Sequence, residues 1–166
     1  MKCIAAADSN WGIGYQNQLL YHIPNDMEFF KKTTLEKTVI MGRNTYESLK
    51  QPLPGRKANI ILTSRPIHTD TKNVKTYADL NELLTEYTND PDAFVIGGES
   101  LYKQCLPYCD TAYITKIYEQ KPADTHFPNL DEHPDWTCIE EGSLRSYNGT
   151  LYRFCMYQNQ NINTII

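Results

Sequence analysis

Asp26 is the acidic residue whose setting best suits proton chemistry. It lies in the opening turn of a predicted helix, 24–34, and Phe30 follows four residues later on the same helical face. A carboxylate that projects into an apolar cleft has a raised pKa and can exchange protons with a ligand. The alternative is an ordinary first-turn acid stabilised by the helix dipole, and the helix by itself favours this alternative.

Two arginines stand at the ends of predicted strands, where an anion could bind. Arg43 lies in the segment 42–45, which ends one strand and opens a helix, and Ser64-Arg65 ends the next strand. Free N–H groups at a helix start and guanidinium groups both bind phosphate. Together the two strand ends could hold a multiply charged nucleotide. The residues alone favour the plainer interpretation that both arginines are solvated.

Glycines in two further segments would allow a ligand to approach the backbone closely. Gly97-Gly98 joins a predicted strand to a predicted helix, so backbone amides there could meet a pyrophosphate, and a tight turn is the alternative. Gly12 and Gly14 lie in the loop 11–20, where glycines suit a hinged lid. Asn17 stands at the third glycine position of the dinucleotide fingerprint GxGxxG, so this loop alone indicates only a turn.

The elements that must position these residues alternate between strands and helices. Apolar periodicity and β-branched runs predict strands at 2–8, 38–42, 59–63, 73–76, 94–96, 112–118, 136–140 and 151–157, and helices at 24–34, 45–50, 79–88 and 99–106. The alternation predicts one α/β domain over 1–166, with a mostly parallel, eight-stranded mixed central sheet and about four flanking helices. The last two strands, paired around the turn 147–149, predict an antiparallel C-terminal edge. The polar stretch 158–166 is expected to fray.

Composition restricts the classes of function. The chain has 166 residues, which suits one domain, and its net charge of -4 argues against a nucleic-acid partner, which would require a basic face. The apolar run at the N-terminus is too short for a signal peptide or a membrane span, so we expect a cytoplasmic protein with no membrane partner. The cysteines lack framework or metal-ligand spacing, so reduced thiols and no metal site are expected: Cys3, Cys105, Cys109, Cys138 and Cys155.

The order and spacing of these signals resemble the dihydrofolate reductase family, bacterial chromosomal type, from about residue 2 to residue 157. Each segment by itself could arise by chance, whereas the set in this order identifies the chain as a member of the family. The matching segments are Trp11-Gly12-Ile13-Gly14, Pro24-Asn25-Asp26, Val39-Ile40-Met41-Gly42-Arg43-Asn44-Thr45-Tyr46-Glu47-Ser48, Pro52-Leu53-Pro54-Gly55-Arg56, Val95-Ile96-Gly97-Gly98 and Asp124-Thr125-His126-Phe127-Pro128.

The resemblance implies an enzyme that reduces 7,8-dihydrofolate to tetrahydrofolate with NADPH and so supplies one-carbon metabolism. A hydride would reach pterin C6, and a water admitted beside the loop 11–20 would protonate N5. Asp26 would bind pterin N3 and the 2-amino group, supported by Thr115, rather than protonate N5 directly. The same carboxylate would pair with diaminopyrimidine antifolates. A monomer is expected by family analogy.

The resemblance also assigns site residues. The catalytic residues would be Asp26, Tyr21 and Leu19. The substrate would contact Ile4, Ala6, Asp26, Met27, Phe30, Leu49, Leu53, Arg56, Ile96 and Thr115, with Arg56 on the glutamate α-carboxylate. NADPH would contact Ala6, Ile13, Gly14, Gly42, Arg43, Asn44, Thr45, Leu62, Thr63, Ser64, Arg65, Ile96, Gly97, Gly98, Glu99, Ser100, Leu101 and Tyr102. Arg43, Ser64 and Arg65 would hold the 2′-phosphate, which favours NADPH over NADH. The family has a cis peptide at this Gly-Gly pair.

One departure from the family pattern lies at the end of the loop 11–20. Many bacterial members have Pro-Trp where this chain has Leu20-Tyr21, and Tyr21 would keep an aromatic wall with a hydrogen-bonding tip. A rival is a related pterin or pyrimidine reductase, such as that of riboflavin synthesis, but the Asp26 segment and Arg56 favour folate. A non-catalytic folate- or nucleotide-binding protein is another rival, kept open by Tyr21. A purely structural role fits poorly with ligand-type residues at strand ends.

Overall fold

The computed structural model describes residues 1–165, and Ile166, the end of the predicted tail, lies outside the described residues. The elements in chain order are β1 (Lys2–Ala7), β2 (Gly12–Tyr15), β3 (Gln18–Leu19), α1 (Pro24–Thr34), β4 (Thr38–Gly42), α2 (Arg43–Leu49), β5 (Ala58–Leu62), β6 (Val74–Tyr77), α3 (Leu80–Tyr87), β7 (Ala93–Gly97), α4 (Glu99–Cys105), β8 (Thr111–Ile117), β9 (Thr125–His126), β10 (Trp136–Glu141), β11 (Arg145–Tyr147) and β12 (Thr150–Asn159). A single 3-10 turn, Leu106–Tyr108, follows α4.

Most of these strands form one mixed sheet. Its order is β10-β12-β8-β1-β7-β4-β5-β6, and the short β11 also pairs with β12. The strands from β8 to β6 pair in parallel, whereas β12 runs antiparallel to both β8 and β10. The prediction of a single α/β domain with a mostly parallel, mixed sheet, four helices and an antiparallel C-terminal edge is therefore confirmed.

The central strands are buried on both faces, as parallel strands flanked by helices must be. Val39, Ile40 and Met41 on β4 have no measurable exposure, and Ile61 on β5 has none. A continuous apolar run was therefore the right signal for β4, which begins and ends where the sequence predicts. No helix among residues 1–165 is long and apolar enough to cross a bilayer.

Two helices begin at residues other than those predicted. The side chain of Asp79 accepts hydrogen bonds from the backbone N–H groups of Asn81 and Glu82, so Asp79 is the N-cap of α3 rather than its first residue. Helix α2 begins at Arg43, directly after an extended Gly42, whereas the sequence predicted a start at residue 45. This earlier start places Arg43 on the first turn of the helix.

The predicted pairing of the last two strands around the turn at 147–149 is only partly correct. Asn148 and Gly149 have φ of 47° and 82°, which suits a two-residue hairpin turn, but this turn joins β11 to β12 rather than β10 to β12. Gly142 separates β10 from β11, and its N–H donates to the carbonyl of Phe154 at 2.8 Å. A Cβ at Gly142 would lie 2.8 Å from that oxygen, so glycine permits the interruption.

The prediction that residues 158–166 fray is wrong for the described part of the tail. β12 continues to Asn159, whose buried side chain donates to the carbonyl of Cys109 at 2.9 Å. Asn163 donates its N–H to the carbonyl of Pro107 at 2.8 Å, and Ile165 packs against the core. The polar composition of the tail suggested fraying, but the side-chain amide of a polar residue such as Asn159 can be buried when it hydrogen-bonds to a backbone carbonyl.

The cysteines that the structure describes are all free thiols, in line with the expected reduced state. Cys3 and Cys109 lie with their Sγ atoms 3.4 Å apart inside the core. Burial raises the pKa of the Cys3 thiol well above its usual value, so this thiol stays protonated at neutral pH.

Asn59 ties the loop after α2 to the sheet. Its buried side chain accepts from the N–H of Leu53 at 2.9 Å and donates to the carbonyl of the same residue at 3.1 Å. Both polar atoms of the Asn59 side-chain amide are thereby hydrogen-bonded to the backbone of Leu53, as the backbone of a neighbouring strand would be. The Asn59 amide therefore helps to hold the segment that carries Leu53 and leads to Arg56.

We predict that Asn59→Ala destabilises the fold by about 1–3 kcal/mol, because it leaves the partly buried N–H and carbonyl of Leu53 without partners. Chemical denaturation followed by circular dichroism measures this change. Asn81→Ala, at an exposed position on α3, is the matched control and should shift the free energy of unfolding by less than about 0.5 kcal/mol. Equal effects of the two substitutions would contradict the role of Asn59.

Candidate active site

Asp26 and Thr115 form the polar centre of the candidate site, which is called the groove and is defined by the residues predicted to contact substrate and cofactor. The parallel register of β1 and β8 sets Thr115 beside Ala6, and α1 brings Asp26 above them, where Thr115 Oγ1 donates to Asp26 Oδ1 at 2.6 Å. Burial raises the pKa of Asp26, and the hydrogen bond from Thr115 offsets part of that rise. The carboxylate thus has the environment of a proton-handling group rather than of a solvated first-turn acid.

Arg56 marks one end of this groove. It is only 8% exposed, and burial lowers its pKa from the usual range. Its Nε and Nη2 donate to Thr34 Oγ1 at 3.1 and 2.8 Å, Nη1 donates to the carbonyl of Pro54 at 2.7 Å, and its guanidinium lies 5.6 Å from the centre of the Phe30 ring. These contacts hold a planar cation against an aromatic wall, an arrangement suited to a carboxylate ligand.

The remaining residues predicted to contact substrate fall in three different surroundings. Leu49, Leu53 and Ile96 pack together against the buried β4–β5 cluster. Met27 is 44% exposed on α1. Ile4 is buried, and its backbone carbonyl accepts a hydrogen bond from the hydroxyl of Tyr102 at 2.7 Å.

The carboxyl ends of β4, β5 and β7 meet at a second, basic end of the groove. Arg43 Nη1 donates to Thr63 Oγ1 at 3.2 Å and to the carbonyl of Arg65 at 3.1 Å, so one guanidinium organises the turn after β5. Ser64 and Arg65 are exposed on that turn, and Asn44 is exposed on the first turn of α2. The structure therefore brings the two predicted basic strand ends together.

Glycines line the neighbouring part of this end. The peptide between Gly97 and Gly98 is cis, as the resemblance implied. A Cβ on Gly97 would lie 3.3 Å from Thr45 Oγ1, and a Cβ on Gly42 would lie 3.9 Å from the carbonyl of Gly97. These glycines thus add no side chains of their own to this end, where Thr45 Oγ1 lies close to Gly97.

Some residues predicted to contact the cofactor have side chains that point elsewhere. Leu101 and Tyr102 are each 3% exposed and belong to the main core, and Leu62 and Ile13 pack against the same core. Glu99 accepts the backbone N–H of His126 at 3.0 Å and so links α4 to β9. Ser100 is exposed, and its hydroxyl accepts from Gln104 at 2.9 Å.

The loop 11–20 contains a β-hairpin. β2 pairs with β3 through Gln16 and Asn17, both at positive φ, and with β9 on its other side. Asp124 clasps this hairpin twice, since its N–H donates to the carbonyl of Gly14 at 3.0 Å and its carboxylate accepts from the N–H of Gln16 at 2.8 Å. Gly14 leaves no room for a Cβ, which would lie 2.7 Å from Thr125 Oγ1.

Asp8 and Lys121 hold the two ends of the same hairpin. The buried carboxylate of Asp8 accepts from the N–H groups of Asn10, Gly12 and Lys121 at 2.9–3.1 Å. Lys121 Nζ donates to the carbonyl of Leu20 at 3.0 Å and stands 4.2 Å above the ring of Tyr21. Neither residue was among the predicted site residues. A polar residue that directly ends a buried strand was the signal for Asp8, whereas nothing local signalled Lys121.

Tyr21 and Leu19 occupy opposite environments. Leu19 is 54% exposed on β3. Tyr21 is 9% exposed and packs with Ile23, Ile117 and Tyr152, and its buried hydroxyl has no hydrogen-bond partner among residues 1–165. Burial, with the nearby Asp8 and Glu119 carboxylates, raises the pKa of Tyr21 to about 12, so the hydroxyl stays neutral near pH 7.

Comparison with known proteins identifies the family of the chain. The family model for dihydrofolate reductase matches residues 1–159. The chain is 40% identical to the dihydrofolate reductase of Bacillus subtilis over 95% of this chain and 94% of that protein. It is 38% identical to the dihydrofolate reductase of Neisseria meningitidis over 93% and 94% of the two chains, and 40% identical to the type 3 dihydrofolate reductase of Salmonella typhimurium over 78% of each. The chain therefore belongs to the dihydrofolate reductase family.

Proposed function

We propose that this enzyme reduces 7,8-dihydrofolate to 5,6,7,8-tetrahydrofolate with NADPH, by hydride transfer to pterin C6 and protonation of N5. The observation that carries the proposal is the hydrogen bond between buried Thr115 and partly buried Asp26, in a site whose other predicted walls are apolar and which has the buried Arg56 at one end. The Asp26 carboxylate would bind a pterin amidine, and Arg56 would bind a glutamate carboxylate. We further propose a cytoplasmic monomer whose product serves one-carbon metabolism, and thus thymidylate, purine and amino-acid synthesis.

Asp26 binds and polarises the substrate in this proposal. Its free oxygen and the oxygen bonded to Thr115 accept hydrogen bonds from pterin N3 and the 2-amino group. The negative charge then raises the basicity of the ring, and a water beside the β2–β3 hairpin delivers the proton to N5. The apolar walls of the pterin and aminobenzoyl sites would be formed by Ile4, Ala6, Met27, Phe30, Leu49, Leu53 and Ile96.

NADPH fits the basic end of the groove, where Arg43, Arg65 and Ser64 suit a 2′-phosphate and Gly97-Gly98 suits the diphosphate. Thr45 Oγ1 lies beside these glycines. Asn44 lies in the first turn of α2. When bound, the nicotinamide supplies the hydride. The core positions that border NADPH would contribute backbone rather than side-chain contacts. The residues proposed to border NADPH are Ile13, Gly14, Leu62, Thr63, Glu99, Ser100, Leu101 and Tyr102.

The decisive assay follows absorbance during NADPH oxidation with and without dihydrofolate, and with NADH in parallel. Dihydrofolate-dependent oxidation that prefers NADPH would support the proposal. Tight binding of both ligands without turnover would favour a binding protein instead. Absence of folate binding would point to another pterin-like or pyrimidine substrate.

Asp26→Asn should lower turnover by about 10²–10⁴-fold, because an amide keeps the shape but not the charge. NADPH affinity should be unchanged. The variant should also bind diaminopyrimidine antifolates more weakly, since a protonated pyrimidine pairs with the carboxylate. Normal turnover or normal inhibition of the variant would contradict the assigned role.

The thermal stability of Asp26→Asn provides a control for folding. The raised pKa of Asp26 means that the folded chain holds the proton more tightly than the unfolded chain, so ionisation at neutral pH lowers stability. The variant should therefore melt at a higher temperature than the unmodified chain at pH 7. This difference should shrink as the pH falls through the folded pKa and should vanish below about 3, where the carboxyl is protonated in both the folded and the unfolded state.

Asp124→Ala should slow hydride transfer in single-turnover measurements by about tenfold, because the β2–β3 hairpin loses a charge-assisted hydrogen bond of about 1.5 kcal/mol. The dissociation constant of dihydrofolate should change little, since Asp124 lies outside the groove walls. Asp70→Ala removes the same charge at an exposed position and is the control. An unchanged transfer rate in Asp124→Ala would show that the hairpin does not depend on this clasp.

Tyr21→Phe should lower turnover by about tenfold if its buried hydroxyl positions the proton-delivering water, which corresponds to one lost hydrogen bond of about 1.4 kcal/mol. The ring and its contact with Lys121 remain in this variant. The loss should appear in the proton-dependent rate and not in substrate affinity. Unchanged turnover over the whole pH range would rule out a catalytic role for the hydroxyl.

A further inference from the structure

Arg43 is already engaged by its own chain at the basic end of the groove. Its Nε donates to Glu47 Oε1 at 2.8 Å, one helical turn along α2, while Nη1 donates to Thr63 and to the carbonyl of Arg65. In the described part of the chain, no hydrogen bond uses Nη2. The guanidinium therefore presents a single free nitrogen to a ligand.

These hydrogen bonds limit how Arg43 can bind a ligand, because a guanidinium offers only two edges at which it can donate a pair of N–H bonds. An oxyanion binds most strongly through two parallel N–H bonds, which either the Nε–Nη2 edge or the Nη1–Nη2 edge can supply. Glu47 uses one nitrogen of the first edge, and Thr63 with the carbonyl of Arg65 uses one nitrogen of the second edge. A phosphate can make the second bond only if one of these partners releases Arg43.

Glu47 is the partner that a phosphate would displace. Its side chain is 52% exposed, and its carboxylate carries the same sign of charge as the ligand. Thr63 and the carbonyl of Arg65 are neutral and belong to the turn that presents Ser64 and Arg65. Removal of those contacts would disturb the site, whereas release of Glu47 would only return a carboxylate to solvent.

We propose that Glu47 sets the affinity and the selectivity of this site for the 2′-phosphate by competing with it for the Nε–Nη2 edge of Arg43. The inference rests on the proposed function, in which NADPH binds at this end of the groove. Glu47 weakens the binding of NADPH and leaves that of NADH unchanged, because NADH has no 2′-phosphate. It thereby limits how strongly the enzyme discriminates between the two nucleotides.

The test compares Glu47→Gln with the unmodified enzyme, using NADPH and NADH as probes in fluorescence-quenching or calorimetric titrations. Glutamine keeps the length of the side chain but not the charge. NADPH should bind about two- to fivefold more tightly, as expected from the strength of an exposed charge pair. NADH affinity should not change. The gain should diminish as ionic strength rises from about 0.01 M to about 1 M, because salt screens exposed charges.

Glu141→Gln is the matched control. Glu141 pairs with Arg153 at 2.9 Å, with side-chain exposures of 54% and 25%, nearly those of the Glu47–Arg43 pair at 52% and 25%. It lies on β10, at the opposite edge of the sheet from β5 and β6. Loss of this carboxylate changes the net charge equally, so it should leave both nucleotide affinities unchanged.

The outcomes separate this inference from the proposed function. If NADPH does not bind the unmodified enzyme, the proposed function fails. If NADPH binds and Glu47→Gln leaves the NADPH-to-NADH affinity ratio unchanged, or lowers it, the competition is overturned and Glu47 only stabilises α2 or orients Arg43. In an Arg43→Gln background, Glu47→Gln should no longer raise the ratio, and a gain that persists there would likewise overturn the proposal.

Discussion

The hydrogen bond from Thr115 to Asp26 is the contact on which the rest of the groove depends. It joins the first helix to the centre of the sheet, and it supplies the one polar partner that a carboxylate in an apolar setting requires. Thr115 stands beside Ala6 on one side and Phe154 on the other. A register shift of one residue in β8 would turn the hydroxyl to the opposite face and leave the carboxylate unpartnered.

The basic end of the groove follows from the parallel arrangement of β4, β5 and β7. Their carboxyl ends converge at one edge, so residues distant in sequence meet there. Charge at this edge is balanced internally, since Glu47 neutralises part of Arg43 while the guanidinium orders the turn at Arg65. The proposed phosphate ligand would therefore meet a guanidinium that is already oriented and that Glu47 partly neutralises.

Carboxylates play a different part at the hairpin beside the groove. Asp8 and Asp124 accept backbone N–H groups of β2 and its flanking turns, and so satisfy donors that no sheet neighbour reaches. Lys121 fastens the far end through the carbonyl of Leu20. The hairpin thus combines these polar contacts with the packing of Ile13 against the main core.

Local patterns in the sequence determined the main strands, the start of α1 at Pro24 and the position of Asp26 on its first turn, because turn chemistry and apolar periodicity act between near neighbours. The family motifs pointed to the groove residues. The resemblance already placed Thr115 in support of Asp26, but only the tertiary structure shows their direct hydrogen bond across 89 residues. It alone decided that Asn159 anchors the tail at Cys109, 50 residues away. Such partners are chosen by strand register and helix packing, which no local pattern encodes.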